Sequence, residues 1–172
     1  MNMAKVATVM TDLFEDVEFT SPKEALEAAG HEVVVIGFEK GQEVTGKKEE
    51  VMVTVDIGID DAKPEDYDAL LIPGGFSPDK LRGDERFLDF TRYFDKERKP
   101  IFSICHGPQL LVNADVLRGK DATAVKQVAV DVTNAGGNFI DQAVVIDESG
   151  LVSSRTPDDL PQFNEAIVNA LK

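Results

Sequence analysis

Short apolar runs alternate with helix-patterned segments along almost the whole chain, and this alternation constrains the fold more than any other feature. Lys5-Val6-Ala7-Thr8-Val9-Met10, His31 to Phe38, Ala69-Leu70-Leu71-Ile72 and the run from Lys99 to Phe102 are too short for buried helices and read as strands. After the first strand, residues 11–18 read as a loop. A helix then starts with Thr20 or Ser21 as cap and Pro22 in its first turn, and ends at Gly30. Val51, Val53 and Val55 alternate inside a glycine-punctuated segment, 41–56, which predicts a small hairpin. A short helical turn after 73–79 precedes a helix over about 85–97, whose Phe87, Phe90 and Phe94 fall at core-facing helical spacing. A helix from Gln109 closes at 117–120, a short strand covers 122–125, and a further helix covers 128–135. Two strands, 143–147 and 151–155, flank a turn at Gly150, and Thr156 or Asp158 caps a final helix carrying Phe163, Ile167 and Leu171. This order implies a mostly parallel sheet with helices on both faces, and 172 residues suffice for one such domain over 1–172.

In sheets of this kind, sites gather beyond the C-terminal strand ends. Three segments leave strands there: the loop with Glu15, Asp16 and Glu18, the Pro73-Gly74-Gly75 segment, and the turn Ser103-Ile104-Cys105-His106-Gly107-Pro108. The last holds the sole cysteine. A helix start offers unpaired N–H groups and a positive dipole end, which favour a thiolate nucleophile. Cys105 is thus either a reactive thiol or a buried structural cysteine. His106, next in sequence, is expected to point away from Cys105 unless the turn is strained, and to orient the site or reach a neighbouring subunit. Glu18 is either a solvated acid ahead of a helix or faces Cys105 as a proton-transfer group. In the second case close contact implies a shared proton, since two negative charges would repel. Gly74 and Gly75 form either a plain turn or a backbone donor site for an oxyanion.

Composition narrows the functional classes. A formal net charge of −14 opposes binding to nucleic acid or to anionic membranes. One cysteine excludes an intrachain disulfide and suits a reducing cytoplasm. No signal-peptide pattern and no apolar stretch of membrane-spanning length is present, and no Cys/His zinc set or EF-hand loop predicts a metal. Dinucleotide, P-loop and Gly-x-Ser-x-Gly motifs are missing, so no cofactor is expected.

Five stretches in order, 11–22, 68–79, 104–109, 134–138 and 154–160, resemble the DJ-1/PfpI superfamily and its bacterial PfpI-like stress proteins over essentially the whole chain. The resemblance implies a flavodoxin-like three-layer α/β sandwich of the class I glutamine-amidotransferase type, in a homodimer or a hexamer built from dimers. It implies that Cys105 is the nucleophile on a strained turn, readily oxidised to sulfinic acid, with Glu18 as its carboxylic partner. His106 matches a family histidine that, in PfpI-type members, forms a triad with an acid of the adjacent subunit. Asp79 stands at that acid's position, where relatives often carry Glu. Gly75 and the His106 N–H would line the oxyanion pocket, beside Gly74. Close relatives often carry a basic residue shortly before Asp131, where this chain has Ala129-Val130.

Two functional readings follow. One is a stress-protective, cysteine-dependent enzyme, either a hydrolase of the peptidase type or a glutathione-independent glyoxalase or deglycase, acting on a small aldehyde or a peptide. The other is a redox-sensing or chaperone-like stress protein without efficient turnover.

Overall fold

A computed structural model describes residues 3–172. The chain runs β1 (Lys5–Val9), α1 (Asp16–Ala28), β2 (Glu32–Gly37), β3 (Glu43–Thr45), β4 (Met52–Thr54), β5 (Ile57–Gly58) and β6 (Ala69–Ile72). It continues through α2 (Ser77–Leu81), α3 (Glu85–Lys96), β7 (Ile101–Ile104), α4 (Pro108–Ala114), β8 (Asp121–Ala122) and α5 (Ala129–Asn134). It closes with β9 (Asn138–Phe139), β10 (Val145–Ile146), β11 (Leu151–Ser154) and α6 (Leu160–Ala170).

Seven strands form the central sheet in the order β10-β11-β7-β6-β1-β2-β5, and every pairing except β10 with β11 is parallel. Alternate residues of each strand feed two apolar layers. Ala7, Val9, Leu70, Ile72 and Ile101 pack with Phe87, Phe90 and Phe94 of α3 and Leu110 and Leu111 of α4. Val6, Leu71, Phe102 and Ile104 pack on the other face with Phe19 and Leu26 of α1 and Phe163 and Ile167 of α6. The result is the three-layer sandwich that the strand–helix alternation implies. The strands β3 and β4 form the predicted antiparallel hairpin, separate from the main sheet.

Three boundaries differ from the sequence reading. Helix α1 begins at Asp16, so Glu18 lies in its first turn and Pro22 is buried inside it. Thr20 and Ser21 are therefore helical and cap nothing. Pro22 lacks the N–H that would bond to Glu18 O, and tertiary burial offsets that loss. Helix α4 ends at Ala114, not at 117–120, because Asp115 takes a left-handed conformation with φ 57°. The expected strand at 122–125 shrinks to β8, which pairs with β9 in a separate two-stranded sheet.

Candidate active site

The strands β1, β6 and β7 are consecutive neighbours in the sheet, so their C-terminal ends emerge side by side. Backbone bonds stitch the first two connections together. The Glu15 N–H donates to Gly74 O at 3.2 Å, and the Phe76 N–H to Leu13 O at 2.8 Å. Gly75 sits in this seam with φ 78°, where a β-carbon would come within 2.5 Å of Glu15 N and Leu13 O. Glycine is required there on both conformational and steric grounds.

Cys105 follows β7 directly and has φ 63°, a conformation costly for any residue with a β-carbon. The surroundings hold it there from both sides. Its N–H donates to Ser154 O and its carbonyl accepts from Val125 N–H, each at 3.0 Å. Strain of this kind persists where neighbouring structure over-determines the backbone, and such places cluster at functional sites. Gly107 and Pro108 then start α4, with Gly107 packed too closely against Ser103 Oγ and Ile72 O for any side chain.

Of the three carboxylates in the first connection, each has a separate partner set. Glu18 is fully buried, and its Oε1 accepts the Gly74 N–H at 2.9 Å, while its Oε2 is buried with no hydrogen-bond partner among the described residues. A side chain on Gly74 would overlap this carboxylate and lie 2.9 Å from Cβ of Cys105, so the glycine lets acid and thiol face each other. Glu15 pairs with Lys47 at 3.0 Å and Lys48 at 3.3 Å. Asp16, also buried, accepts backbone N–H groups of Lys48, Glu50 and Val51 at 3.0–3.2 Å.

Burial, reinforced by the charge of Glu15, pushes the Glu18 carboxyl up to about 8, against the Gly74 N–H, Cys105 and Lys47. Burial, then the charge of Glu18, pushes the Cys105 thiol up as well, against the His106 N–H and Lys47. The expectation that the helix start alone favours a thiolate is therefore corrected: desolvation outweighs it. The two shifts share their largest cause, burial in an apolar pocket, which penalises either negative charge. With a proton on Glu18, its repulsive share of the push on the thiol disappears while that of burial remains, and the carboxylic acid becomes a donor toward sulfur.

The turn at Cys105 is strained, and His106 does not point away: its Nδ1 lies 3.4 Å from Cys105 Sγ. Burial and Lys47 lower its basicity, while Asp79 opposes them. Asp79 itself is exposed on α2, 3.5 Å from Arg82, and acts on His106 within the chain only as a nearby charge. The N–H groups of Gly75 and His106 donate to no backbone acceptor among the described residues. Ala129 opens α5, and Val130 is exposed there.

Lys47 escaped the sequence reading, and so did the role of Asp16. Lys47, from the β3–β4 loop, reaches the same cluster, with its ammonium 3.0 Å from Glu15 and 5.8 Å from the centre of the Phe76 ring. Asp16 binds that loop. The only sequence signal was Gly46 between alternating valines, and a side chain on Gly46 would overlap the Asp16 carboxylate.

The chain matches the family model described as DJ-1/PfpI family over residues 4–170. It is 56% identical over 167 residues to protein/nucleic acid deglycase 2 of Escherichia coli K12, covering 97% of each chain. It is 54% identical over 160 residues to general stress protein 18 of Bacillus subtilis 168, covering 93% of each. Among solved structures, a two-domain protein from Anabaena variabilis with DJ-1/ThiJ/PfpI-like and ferritin-like domains superposes with TM-score 0.94 at 37% identity. That match covers 98% of this chain and 48% of the other.

Proposed function

The chain belongs to the DJ-1/PfpI family, and from that premise we propose that it is a stress-protective enzyme of the deglycase or glutathione-independent glyoxalase type, acting on reactive carbonyls through Cys105. The observation that carries this reading is the burial of Glu18 against Cys105 on either side of a glycine that admits no side chain.

The chemistry follows from one proton shared by the pair. The Cys105 thiolate adds to the aldehyde carbon of a 2-oxoaldehyde, and the proton on Glu18 neutralises the resulting alkoxide to a hemithioacetal. Glu18, now a carboxylate, removes the proton from the former aldehyde carbon and returns it to the adjacent carbon. The hydroxyl proton passes to the neighbouring carbonyl oxygen, and the adduct becomes a thioester without any external oxidant. Water cleaves the thioester, its hydroxyl going to the acyl carbon and its proton to Glu18, so that a 2-hydroxy acid leaves and the pair regains its one shared proton. The N–H groups of Gly75 and His106 are the backbone donors for negative oxygen in these steps. A carbonyl already joined to an amine enters the same sequence once the thiolate has displaced the amine. The printed name of the Escherichia coli relative, protein/nucleic acid deglycase 2, supports that extension.

A peptidase-type triad places different demands on the site. It needs His106 to meet an acid, and Asp79 of this chain is turned to Arg82. Asp79 would serve only from a second subunit, in a homodimer or higher assembly. The test of the leading reading is consumption of methylglyoxal with lactate formation in the absence of added thiol. Cys105→Ala is expected to lower turnover at least ~1,000-fold, as loss of a covalent nucleophile does. Full activity in that variant would sink the proposal.

A further inference from the structure

The β3–β4 loop is fastened to the site more firmly than a surface hairpin requires. The Leu13 N–H donates to Thr45 O and the Lys47 N–H to Phe14 O, both at 2.8 Å. Asp16 grips the loop from beneath through three backbone N–H groups, and Gly46 is bare where that carboxylate passes. A buried carboxylate satisfied by backbone donors fixes the segment that supplies them. The outcome is the placement of Lys47. Its ammonium lies against Glu15, beside the Phe76 ring, and its charge acts on both Cys105 and Glu18. At this mouth Lys47 and Lys48 stand against the carboxylates of Glu15 and Asp16, on a chain of net charge −14. Lys47 is partly exposed, so an entering anion can share its cation with Glu15.

We propose that Lys47, positioned by Asp16, sorts substrates of this site by charge, favouring small carbonyl compounds with an anionic group beside the reacting carbon. The inference rests on Cys105 being the reacting group and adds to it a specificity determinant, Lys47, and a positioning residue, Asp16.

The test compares alkylation of Cys105 by iodoacetate and by iodoacetamide, which present the same carbon with and without a negative charge. In each case the S–C bond forms, the C–I bond breaks and iodide leaves. The ratio of the two rates reads the local field and cancels changes in thiol reactivity. Lys47→Met should lower the iodoacetate-to-iodoacetamide ratio about three- to tenfold, the range for one partly screened charge within a Debye length. Asp16→Ala should lower it similarly, Lys47→Arg should restore it, and Lys48→Met should change it less than about twofold. Thermal unfolding verifies that Asp16→Ala is folded, and Asp16→Asn, which loses one acceptor oxygen, replaces it otherwise. An unchanged ratio in Lys47→Met overturns the specificity role. A lowered ratio in Lys47→Met but not in the folded Asp16 variant overturns the positioning role. An equal loss in Lys48→Met overturns the assignment to Lys47. Turnover is not read, so an enzyme inactive on methylglyoxal can still show the ratio. A Cys105 that neither reagent alkylates overturns this inference together with the reactive thiol.

Discussion

The two ends of the central sheet are built from the same strands but to opposite standards. At the starts of β1, β2, β6 and β7, polar groups close on backbone partners. His31 Nδ1 accepts the Ala4 N–H at 2.9 Å, Asp68 accepts the Lys5 N–H at 2.8 Å, and Lys99 Nζ donates to Tyr67 O at 2.7 Å. At the other end, Glu18 is buried with one oxygen lacking a hydrogen-bond partner among the described residues, and Cys105 is held left-handed. The near end contributes stability, whereas the far end carries unresolved desolvation and strain. Such costs are retained at reacting sites because the unmet group is the one available to a substrate.

The sharpest way to break this contrast is Glu18→Gln, which removes the proton carrier while keeping a similar shape. Turnover should fall about 100- to 10,000-fold, with alkylation of Cys105 affected much less. Stability should respond in the opposite sense at high pH. Glu18 has its folded value raised to about 8, so the folded state holds a proton that the unfolded chain releases near 4.5. This contribution to stability is complete below about 4.5 and is lost as pH rises towards 8. The wild-type unfolding temperature should therefore fall across that window, and Glu18→Gln should flatten the slope. Equal slopes in both proteins would mean that Glu18 carries no displaced proton.

Away from the strand ends, the aromatic layer supplies a control of comparable size. Phe94, fully buried and packed against Phe90 and Tyr93, should cost about 3–5 kcal/mol on conversion to Ala, measured by denaturant unfolding. Turnover per folded molecule should stay near wild type, and a large loss there would blur the division between the two regions.

The smallest effect sharpens the meaning of strain. Arg98 also has a positive φ, 56°, but it follows the C-terminus of α3, where a left-handed residue is an ordinary ending. Cys105→Gly should be more stable than Cys105→Ala by about 1 kcal/mol, since glycine removes the β-carbon penalty less its own entropy. Both should be inactive, whereas Arg98→Gly should keep full turnover. Chemical denaturation with matched activity assays separates these cases.

Much of this architecture was legible because it is local. The apolar runs of β6 and β7, the phenylalanine spacing in α3 and the Gly107-Pro108 helix start follow from neighbours in sequence. Cys105 and Glu18 were legible as candidates because each adjoins a strand end. The start of α1 was not, since Thr20-Ser21-Pro22 imitates a helix start and Glu15 gives no side-chain cap. The His106 orientation depends on the left-handed turn at Cys105, which the family resemblance implies as strained but no residue type announces. Asp16 and the loop that carries Lys47 are distant in sequence and meet only because the β3–β4 hairpin folds back, so their contact belongs to tertiary structure.

The outermost strands of the sheet, β5 and β10, are only two residues long. Each covers part of a longer neighbour and offers too little free backbone to template another chain. Together with a strongly negative surface, this discourages edge-to-edge polymerisation when copies crowd. Such termini give the chain a resistance to amyloid-like growth, at the expense of very little sheet.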